Sequence, residues 1–132
     1  MSQQDVDVVM RWFELSVRGE TEAALQYVDP AIETYEGVEL PGAASYSGHV
    51  GLAMAYDHWA SQWDDFRMEL KELIDAGGDV VAVTRHYGTG RLSGVAVEAL
   101  VAYVFTVEAG KLVRLRIFNT RAQALEAVGL RE

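Results

Sequence analysis

Three polar side chains, Arg85, Tyr103 and Asn119, could supply the chemistry of a small-molecule site in this sequence. Arg85 offers a cation for a carboxylate or enolate oxygen, Tyr103 a hydroxyl donor, and Asn119 an amide that can orient a carbonyl. Each lies in or directly after a segment with the period of two that is typical of β-strands. We therefore predict that these three side chains converge as the polar groups of a pocket.

The alternation of the last two strands indicates which side chains face inward. In residues 111–119, Val113 and Leu115 alternate with arginines, so Asn119 follows the aliphatic residues on the inner face. In the preceding segment Glu98 marks the outer face, which places Tyr103 on the inner one.

The direction of Arg85 has two interpretations. It shares a strand face with Val81, Val83 and Tyr87, and we expect that face to be the inner one, with His86 on the outside. Arg85 would then bind a ligand oxygen or pair with an internal glutamate. Alternatively, it lies at the end of its strand and extends its charged head into water.

Aromatic residues supply the expected apolar walls of the pocket. Tyr56, Trp59 and Trp63 recur at helical spacing in one segment, and Trp12 belongs to the apolar stripe of the first helix. Such stripes are core residues first, but Trp12, Tyr56 and Trp59 can also line a ligand. Tyr35, near the end of the first strand, completes the predicted set of ligand-binding residues.

Metal, cofactor and phosphate chemistry find little support in the residue pattern. The chain has no cysteine, and its three histidines lack the spacing of a metal motif. Residues 88–94, with glycine at 88, 90 and 94, lie between two predicted strands and are typical of a hairpin, not of a phosphate loop. We therefore expect no metal and no cofactor.

The charge balance excludes two classes of partner. Twenty acidic residues oppose 11 basic ones, for a net charge of −9, and no cluster of lysines or arginines is present. Nucleic acid and anionic membranes are bound chiefly by neutralising phosphates, so we expect neither partner. The N-terminus lacks the pattern of a signal peptide, and the longest apolar run, Ala99 to Phe105, is far too short for a membrane helix. We expect a cytoplasmic protein.

The order of elements predicts an α+β fold. Two helices, a short strand at residues 31–36, a loop from Gly37 to Gly48 and a third helix precede four long strands and a terminal helix that Thr120 caps. No repeat or linker divides residues 1–132, which we predict to be one domain. Helices grouped before strands favour a layer of helices over one face of an antiparallel sheet.

The strand that contains Tyr103 is apolar on both faces, which predicts a covered outer surface. Leu100, Ala102 and Val104 share the outer face with Glu98. The sheet of a second subunit is the simplest cover, so we predict a homodimer through the sheet.

The ordered set of motifs resembles the SnoaL-like branch of the nuclear transport factor 2-like superfamily, which includes ketosteroid isomerases and polyketide cyclases. The resemblance covers nearly the whole chain and rests on these segments: RWFELSVRGETEAALQYVDPAIE, YSGHVGLAMAYDHWASQWDDFRMELKELIDAGGDVVAV, GTGRLSG and EAGKLVRLRIFNTRAQALEAVGL. It implies a cone-shaped curved sheet, the cystatin-like α+β barrel, roofed by N-terminal helices around one apolar pocket. It also implies dimerisation through the sheet.

The family's catalytic positions are only partly filled in this chain. Ketosteroid isomerases use a tyrosine and an aspartate to polarise the substrate oxygen, and a second aspartate as the general base. The resemblance places Trp12, Tyr103 and Tyr35, in that order, at these three positions. Glu36 is adjacent to Tyr35 but is expected on the other strand face. The family's polyketide cyclases use an aspartate in the cone, and Asn119 occupies the final inner polar position here. In the related epoxide hydrolases, Arg85 would match a central arginine, with Glu69 or Glu72 as its carboxylate.

Two hypotheses of function follow. The first is an isomerase, cyclase or hydrolase that acts by acid/base chemistry on a polyketide- or terpenoid-like molecule, which requires an inward carboxylate such as Glu36, Glu69 or Glu72. The second is a non-catalytic module that binds a small hydrophobic molecule or mediates dimerisation. In both hypotheses the ligand-binding residues are Trp12, Tyr35, Tyr56, Trp59, Arg85, Tyr103 and Asn119.

Overall fold

The secondary structure follows the predicted order with one added strand. The computed structural model describes residues 2–36 and 45–130, so part of the predicted loop at 37–48 lies outside the described residues. The elements are α1 (Ser2–Val17), α2 (Thr21–Leu25), β1 (Val28–Glu36), β2 (Ser45–Ser47), α3 (Gly48–Ala60), β3 (Trp63–Asp75), β4 (Asp79–Gly90), β5 (Ala96–Glu108), β6 (Lys111–Phe118) and α4 (Arg121–Ala127).

The six strands form one curved sheet in the order β2-β1-β6-β5-β4-β3. The consecutive strands β3 to β6 pair as antiparallel neighbours, as the Gly-bearing turns between them predict. The prediction of an entirely antiparallel sheet is wrong at β1, which runs parallel to β6. These two strands are distant in the chain, and no hairpin imposes an antiparallel direction on them.

Bulges bend the long strands into a cup. The pairing of β3 with β4 shifts register twice, and Asp65 at the first shift has a positive φ of 53°. Gly88 lies opposite this bulge, where a Cβ atom would come within 2.8 Å of the Asp64 carbonyl oxygen. A further shift in β6 pairs the inward Val107 with Leu112, so the inward residue there is Leu112 and not Val113, as the alternation predicted.

The concave face of the sheet packs against α1 and forms the main core. Val9 and Phe13 of α1 contact this face, and both are buried. Burying a side chain of this kind contributes about 1.5–3 kcal/mol. The buried members of this core are Val9, Phe13, Val28, Ile32, Val80, Ala82, Phe105, Val107, Leu112 and Leu115.

The convex face of the sheet is covered in part by the chain itself. Ala124 and Leu125 of α4 pack on a second apolar cluster that includes Val81, Ala102 and Val104. The Thr120 hydroxyl accepts a hydrogen bond from the Gln123 amide at 3.1 Å, which confirms the predicted cap of this helix. Since α4 supplies a cover within the chain, the apolar outer face of β5 is a weaker argument for a second subunit than the sequence suggested.

The end of the third helix differs from the prediction. Trp63 continues the aromatic spacing of the third helix, yet α3 ends at Ala60 and Trp63 begins β3. Helical spacing alone could not show that two residues of turn intervene. Helix α2 begins at Thr21, and Glu20 occupies its cap position without a side-chain hydrogen bond.

A close helix-to-strand approach holds α3 over the end of β1. A Cβ atom on Gly51 would lie 2.9 Å from both the carbonyl carbon and the Cβ of Tyr46 in β2. Gly48, the first residue of α3, has a positive φ of 73°. The glycines therefore permit a contact that sets the position of α3 and of the side chains it carries.

Substitution of Gly51 by alanine tests this contact. Alanine is a better helix former by about 1 kcal/mol, but the Cβ atom would force α3 away from β2. We expect Gly51→Ala to lower the free energy of unfolding by about 1–3 kcal/mol, measured by urea denaturation. Met54→Ala, at an exposed position of the same helix, should change it by less than about 0.5 kcal/mol. A stabilised Gly51→Ala protein would contradict the proposed packing.

Candidate functional site

A buried histidine lies at the centre of the polar groups on the concave face. His86 of β4 is 1% exposed. Its Nδ1 atom lies 2.8 Å from the Trp59 indole Nε1, and its Nε2 atom lies 2.9 Å from the Thr84 hydroxyl and 3.3 Å from the Tyr103 hydroxyl. Helix α3 and strands β4 and β5 thus each contribute a side chain to one hydrogen-bonded group.

The pairing of β4 with β5 reverses the predicted direction of two residues. Ala82 pairs with Tyr103 and His86 with Ala99, so the even-numbered residues of β4 share the concave face with Tyr103. The expectation that Arg85 faces inward and His86 outward is therefore wrong. Both faces of β4 carry buried valines, and alternation within this strand alone could not distinguish them.

Arg85 lies on the convex face and binds carboxylates there. Its Nη2 atom is 2.6 Å from Glu98 Oε2, and its Nη1 atom is 3.6 Å from Glu69 Oε1. The guanidinium also lies over the Tyr87 ring, 4.2 Å from its centroid. Arg85 and Tyr103 therefore lie on opposite faces of the sheet. This position agrees with the second interpretation of Arg85, in which its charged head extends into water.

Tyr35 and Asn119 also lie apart from the histidine. Tyr35 pairs with Arg116, and the register of Arg116 places both side chains on the convex face. Asn119 follows the end of β6 and is exposed. The expectation that these two side chains line a common pocket with Tyr103 is wrong. In β1 the glutamates at 33 and 36 have opposite parity, so charge could not identify the inner face. Asn119 follows the last paired residue of β6, so the sheet no longer directs its side chain.

The other predicted aromatic residues do gather around the histidine. Phe66 lies between His86 and Tyr56, with ring centroids 5.4 and 6.1 Å away, and Tyr103 lies 6.0 Å from His86. Trp12 joins through Phe105, which contacts both Trp12 and Tyr103. We refer to these rings as the inner aromatic cluster: Trp12, Phe13, Tyr56, Trp59, Trp63, Phe66, His86, Tyr103 and Phe105.

One of the three candidate carboxylates faces the concave side. Glu36 pairs with Ile117, which in turn pairs with Tyr103, so the three residues form one inward row across neighbouring strands. Glu69 lies on the opposite face beside Arg85, and Glu72 binds Arg121 there at 2.9 Å. The expectation that Tyr35 faces inward and Glu36 outward is therefore the reverse of the structure.

Glu36 has a polar neighbour on the same face. The Tyr46 hydroxyl donates a hydrogen bond to Glu36 Oε1 at 3.2 Å. Burial, together with the negative charge of Glu36, raises the pKa of Tyr46. Tyr46 therefore remains a hydrogen-bond donor that holds one oxygen of the carboxylate.

Burial controls the protonation of the two central groups. Burial lowers the pKa of His86 to about 4, so the imidazole is neutral at pH 7. Burial, followed by the nearby Tyr56 and Glu36, raises the pKa of Tyr103, whose hydroxyl keeps its proton. The site thus holds a neutral imidazole, a protonated phenol and a carboxylate.

His86 is the central residue of the candidate site, and the sequence interpretation missed it. A usable signal was present, because Thr84 and His86 continue the strand face that begins with the apolar Val80 and Ala82. Polar groups on a buried strand face need partners, so their shared parity indicates a hydrogen-bonded pair. Trp59 could be identified as its donor only once α3 was placed over β4.

The remaining surface features lie outside this group. A groove of about 550 Å³ runs between α1 and β3, lined by apolar residues such as Met10 and Val17 and by charged ones such as Arg18 and Lys71. Within residues 2–36 and 45–130, histidine and carboxylate side chains form no cluster of three suited to a metal ion. None of the described helices is both long and apolar enough to cross a membrane.

The fold and the site together define the class of protein. A curved sheet has helices packed on its concave face, and hydrogen-bonded polar side chains lie among the aromatic rings between them. The model of the SnoaL-like domain matches residues 9–115. The chain belongs to the SnoaL-like domain family.

Solved structures with the same fold extend this assignment. An NTF2-like protein from Burkholderia thailandensis E264 is 31% identical, with 91% of this chain and 95% of that chain covered and a TM-score of 0.76. A candidate SnoaL-like polyketide cyclase from Jannaschia sp. CCS1 is 17% identical over 100% and 96% of the two chains, with a TM-score of 0.73. TerC, co-crystallised with polyporic acid, is 16% identical over 95% and 98%, with a TM-score of 0.73. No curated protein sequence matches this chain significantly.

The buried histidine predicts a pH-dependent stability. The pKa of His86 is about 4 in the folded protein against 6.5 in the unfolded chain, so between these values the unfolded state binds more protons. We expect this residue to lower the free energy of unfolding by about 2 kcal/mol between pH 7 and pH 5. The measurement is urea denaturation across this range.

Two variants isolate this contribution from other titrating groups. His86→Phe should show a shallower decline on acidification than the wild type. His58→Gln, which removes an exposed histidine, should retain the wild-type decline. Equal slopes for all three proteins would show that His86 is not buried in its neutral form.

Proposed function

We propose that the protein is an acid/base enzyme that binds a small, largely apolar carbonyl compound and moves a proton on it. The observation that carries this proposal is the inward row formed by Glu36, Ile117 and Tyr103. A carboxylate and a protonated phenol on one concave face are the pair needed to take a proton beside a carbonyl and to stabilise its oxygen.

The spacing of this row suits a small molecule. Glu36 and Tyr103 are separated by one intervening strand, so their backbones lie roughly 10 Å apart. Two side chains that reach toward each other over this distance leave room for a few carbon atoms between carboxylate and hydroxyl. Trp12, Tyr56 and Trp59, from the roofing helices, are proposed to contact the apolar part of the ligand.

The proposed step balances without a cofactor. A Glu36 oxygen forms a bond to the proton on the carbon next to the carbonyl, and the C–H electron pair moves into a C=C bond. The carbonyl π electrons move to oxygen, where the Tyr103 hydroxyl donates a hydrogen bond to the developing negative charge. Glu36, now a carboxylic acid, returns the proton to another carbon for isomerisation. For cyclisation, the enolate carbon instead forms a bond to a second carbonyl carbon of the same molecule, the π electrons of that carbonyl move to its oxygen, and Glu36 gives its proton to this oxygen.

Hydrogen–deuterium exchange provides a test that needs no knowledge of the natural substrate. In D₂O, the protein should accelerate loss of the α-proton signal of 2-tetralone, observed by NMR. A positioned general base contributes about 10²–10⁴-fold, so Glu36→Gln should reduce the protein-dependent rate at least about 100-fold.

Glu33→Gln is the matched control. Glu33 lies three residues earlier in β1 with its register on the convex face beside Arg114. This variant should exchange protons at the wild-type rate. Equal rates for Glu36→Gln and the wild type would contradict the role of Glu36.

A non-catalytic binding module is the competing candidate. It is favoured by the convex position of Arg85 and by the exposure of Asn119, which leave few polar groups on the concave face. This function predicts that small carbonyl compounds raise the melting temperature of the protein while no protein-dependent exchange occurs.

We also propose that a second copy of the chain covers the part of the convex face that α4 leaves open. Leu100 is 56% exposed there. The neighbouring Arg85 is already paired with Glu69 and Glu98, so its charge would not be left alone in an interface. The homodimer expected from the sequence would use this surface.

A charge placed on this surface tests the dimer. We expect the wild type to have the mass of two chains in sedimentation equilibrium, and Leu100→Glu to weaken association at least tenfold, because burying an unpaired carboxylate is unfavourable. Val50→Glu, at an exposed position of α3, should leave association unchanged. A monomeric wild type would overturn the proposal.

A further inference from the structure

The hydrogen bonds around His86 form a chain in which each proton can be assigned. The Trp59 indole contributes the first bond, to His86 Nδ1 at 2.8 Å. His86 Nε2 lies 2.9 Å from the Thr84 hydroxyl, and that hydroxyl donates to the Val101 carbonyl oxygen at 2.8 Å. Tyr103 stands beside this chain, 3.3 Å from His86 Nε2.

The indole of Trp59 fixes the tautomer of the imidazole. An indole N–H is a donor only, so Nδ1 must offer its lone pair. A neutral imidazole carries one proton, which is therefore on Nε2. The Thr84 hydroxyl accepts this proton, because its own hydrogen goes to Val101. Each donor in the chain then has an acceptor.

Tyr103 is left with an unused hydrogen. His86 Nε2 already carries a proton and cannot accept the Tyr103 hydroxyl hydrogen. In the described parts of the chain, the Tyr103 hydroxyl has no other hydrogen-bond partner. The phenol can at most share the Nε2 proton as an acceptor, while its own O–H remains available to another molecule.

The charges on the concave face restrict what that molecule can be. The arginines of the central strands, Arg85, Arg114 and Arg116, have registers on the convex face. Glu36 is the nearest acidic group on the inner side and adds to the negative potential around Tyr103. Among the described residues, Glu36 lies on this face while the arginines of the central strands face away from it, so the face favours a neutral acceptor over an anion.

We propose that Trp59 is a positioning residue: by holding His86 in the Nε2–H tautomer, it makes Tyr103 an obligate donor and selects ligands with a neutral carbonyl oxygen. This inference rests on the proposed function for the existence of a ligand. The state of the imidazole does not depend on it. If the indole donor is removed, Nδ1 can take the proton, and Nε2 then accepts the Tyr103 hydrogen that a ligand would otherwise receive.

The first experiment reads the tautomer directly. Long-range ¹H–¹⁵N correlation spectra of the intact protein at pH 7 distinguish a protonated from an unprotonated ring nitrogen. We expect His86 to carry its proton on Nε2 in the wild type and to shift toward the Nδ1–H form in Trp59→Phe. A wild-type Nδ1–H tautomer, or an unchanged tautomer in Trp59→Phe, would overturn the inference.

The second experiment uses two probes of nearly equal shape. 2-Acetonaphthone presents a carbonyl oxygen where 2-isopropenylnaphthalene presents a CH₂ group. The ketone should bind the wild type about five- to tenfold more tightly, the contribution of one hydrogen bond, in NMR titrations. Because each variant is judged by the ratio of the two dissociation constants, a general change in the shape of the pocket cancels.

Three variants separate positioning from packing. Tyr103→Phe and Trp59→Phe should both bring the ratio to about one. Thr84→Val should preserve the preference, because the Nε2 proton then turns to the Tyr103 oxygen and the phenol hydrogen stays available. Loss of the preference in Thr84→Val together with its retention in Trp59→Phe would overturn the positioning role.

Failure of the proposed function would look different. If neither probe binds, the pocket and its ligand class are refuted. If the NMR spectra nevertheless show an Nε2–H tautomer that depends on Trp59, the positioning of His86 by Trp59 is supported. If both probes bind equally to a wild type with that tautomer, binding is supported and the selection by Tyr103 is overturned.

Discussion

The register between β4 and β5 is the constraint on which the rest of the site depends. Ala82 opposite Tyr103 places Thr84 and His86 on the same concave face as the phenol. Because side chains alternate with a period of two, a slip of one residue would exchange His86 for Arg85. A cation would then face the aromatic core, and the imidazole would be exposed on the convex side.

This register also places ion pairs on one face of the sheet and buried neutral groups on the other. On the convex side, Arg85 forms ion pairs with carboxylates that remain partly exposed, where such pairs contribute little to stability. On the concave side, burial keeps the imidazole and the phenol neutral. The imidazole belongs to a chain of hydrogen bonds, and the phenol lies beside it. Glu36, at the margin of the concave face, is the one charged member of the inward row. The proposed chemistry needs this arrangement, since a neutral donor and a single carboxylate act most strongly where water is excluded.

Much of the fold was accessible from local patterns. The capping sequence at Thr120 fixed the start of the last helix, and Glu98 and the arginines of β6 marked the outer faces of the last two strands. The prediction failed where the markers were ambiguous: β4 has buried valines on both faces, and β1 has a glutamate on each. As a result the inward positions of Glu36 and His86 were exchanged with those of Tyr35 and Arg85.

By itself the sequence determined the order of elements and several of the aromatic residues that meet at the site, because these depend on periodicity and composition within single segments. Its ordered set of motifs carried the resemblance to the family. The tertiary structure decided whether the odd-numbered or the even-numbered residues of β1 and β4 face inward, and it placed α4 over part of the convex face. It also joined Trp59 to His86, 27 residues apart in the chain. Those choices are made by pairing between distant segments, and a strand's own alternation is the same whichever face is turned to the core.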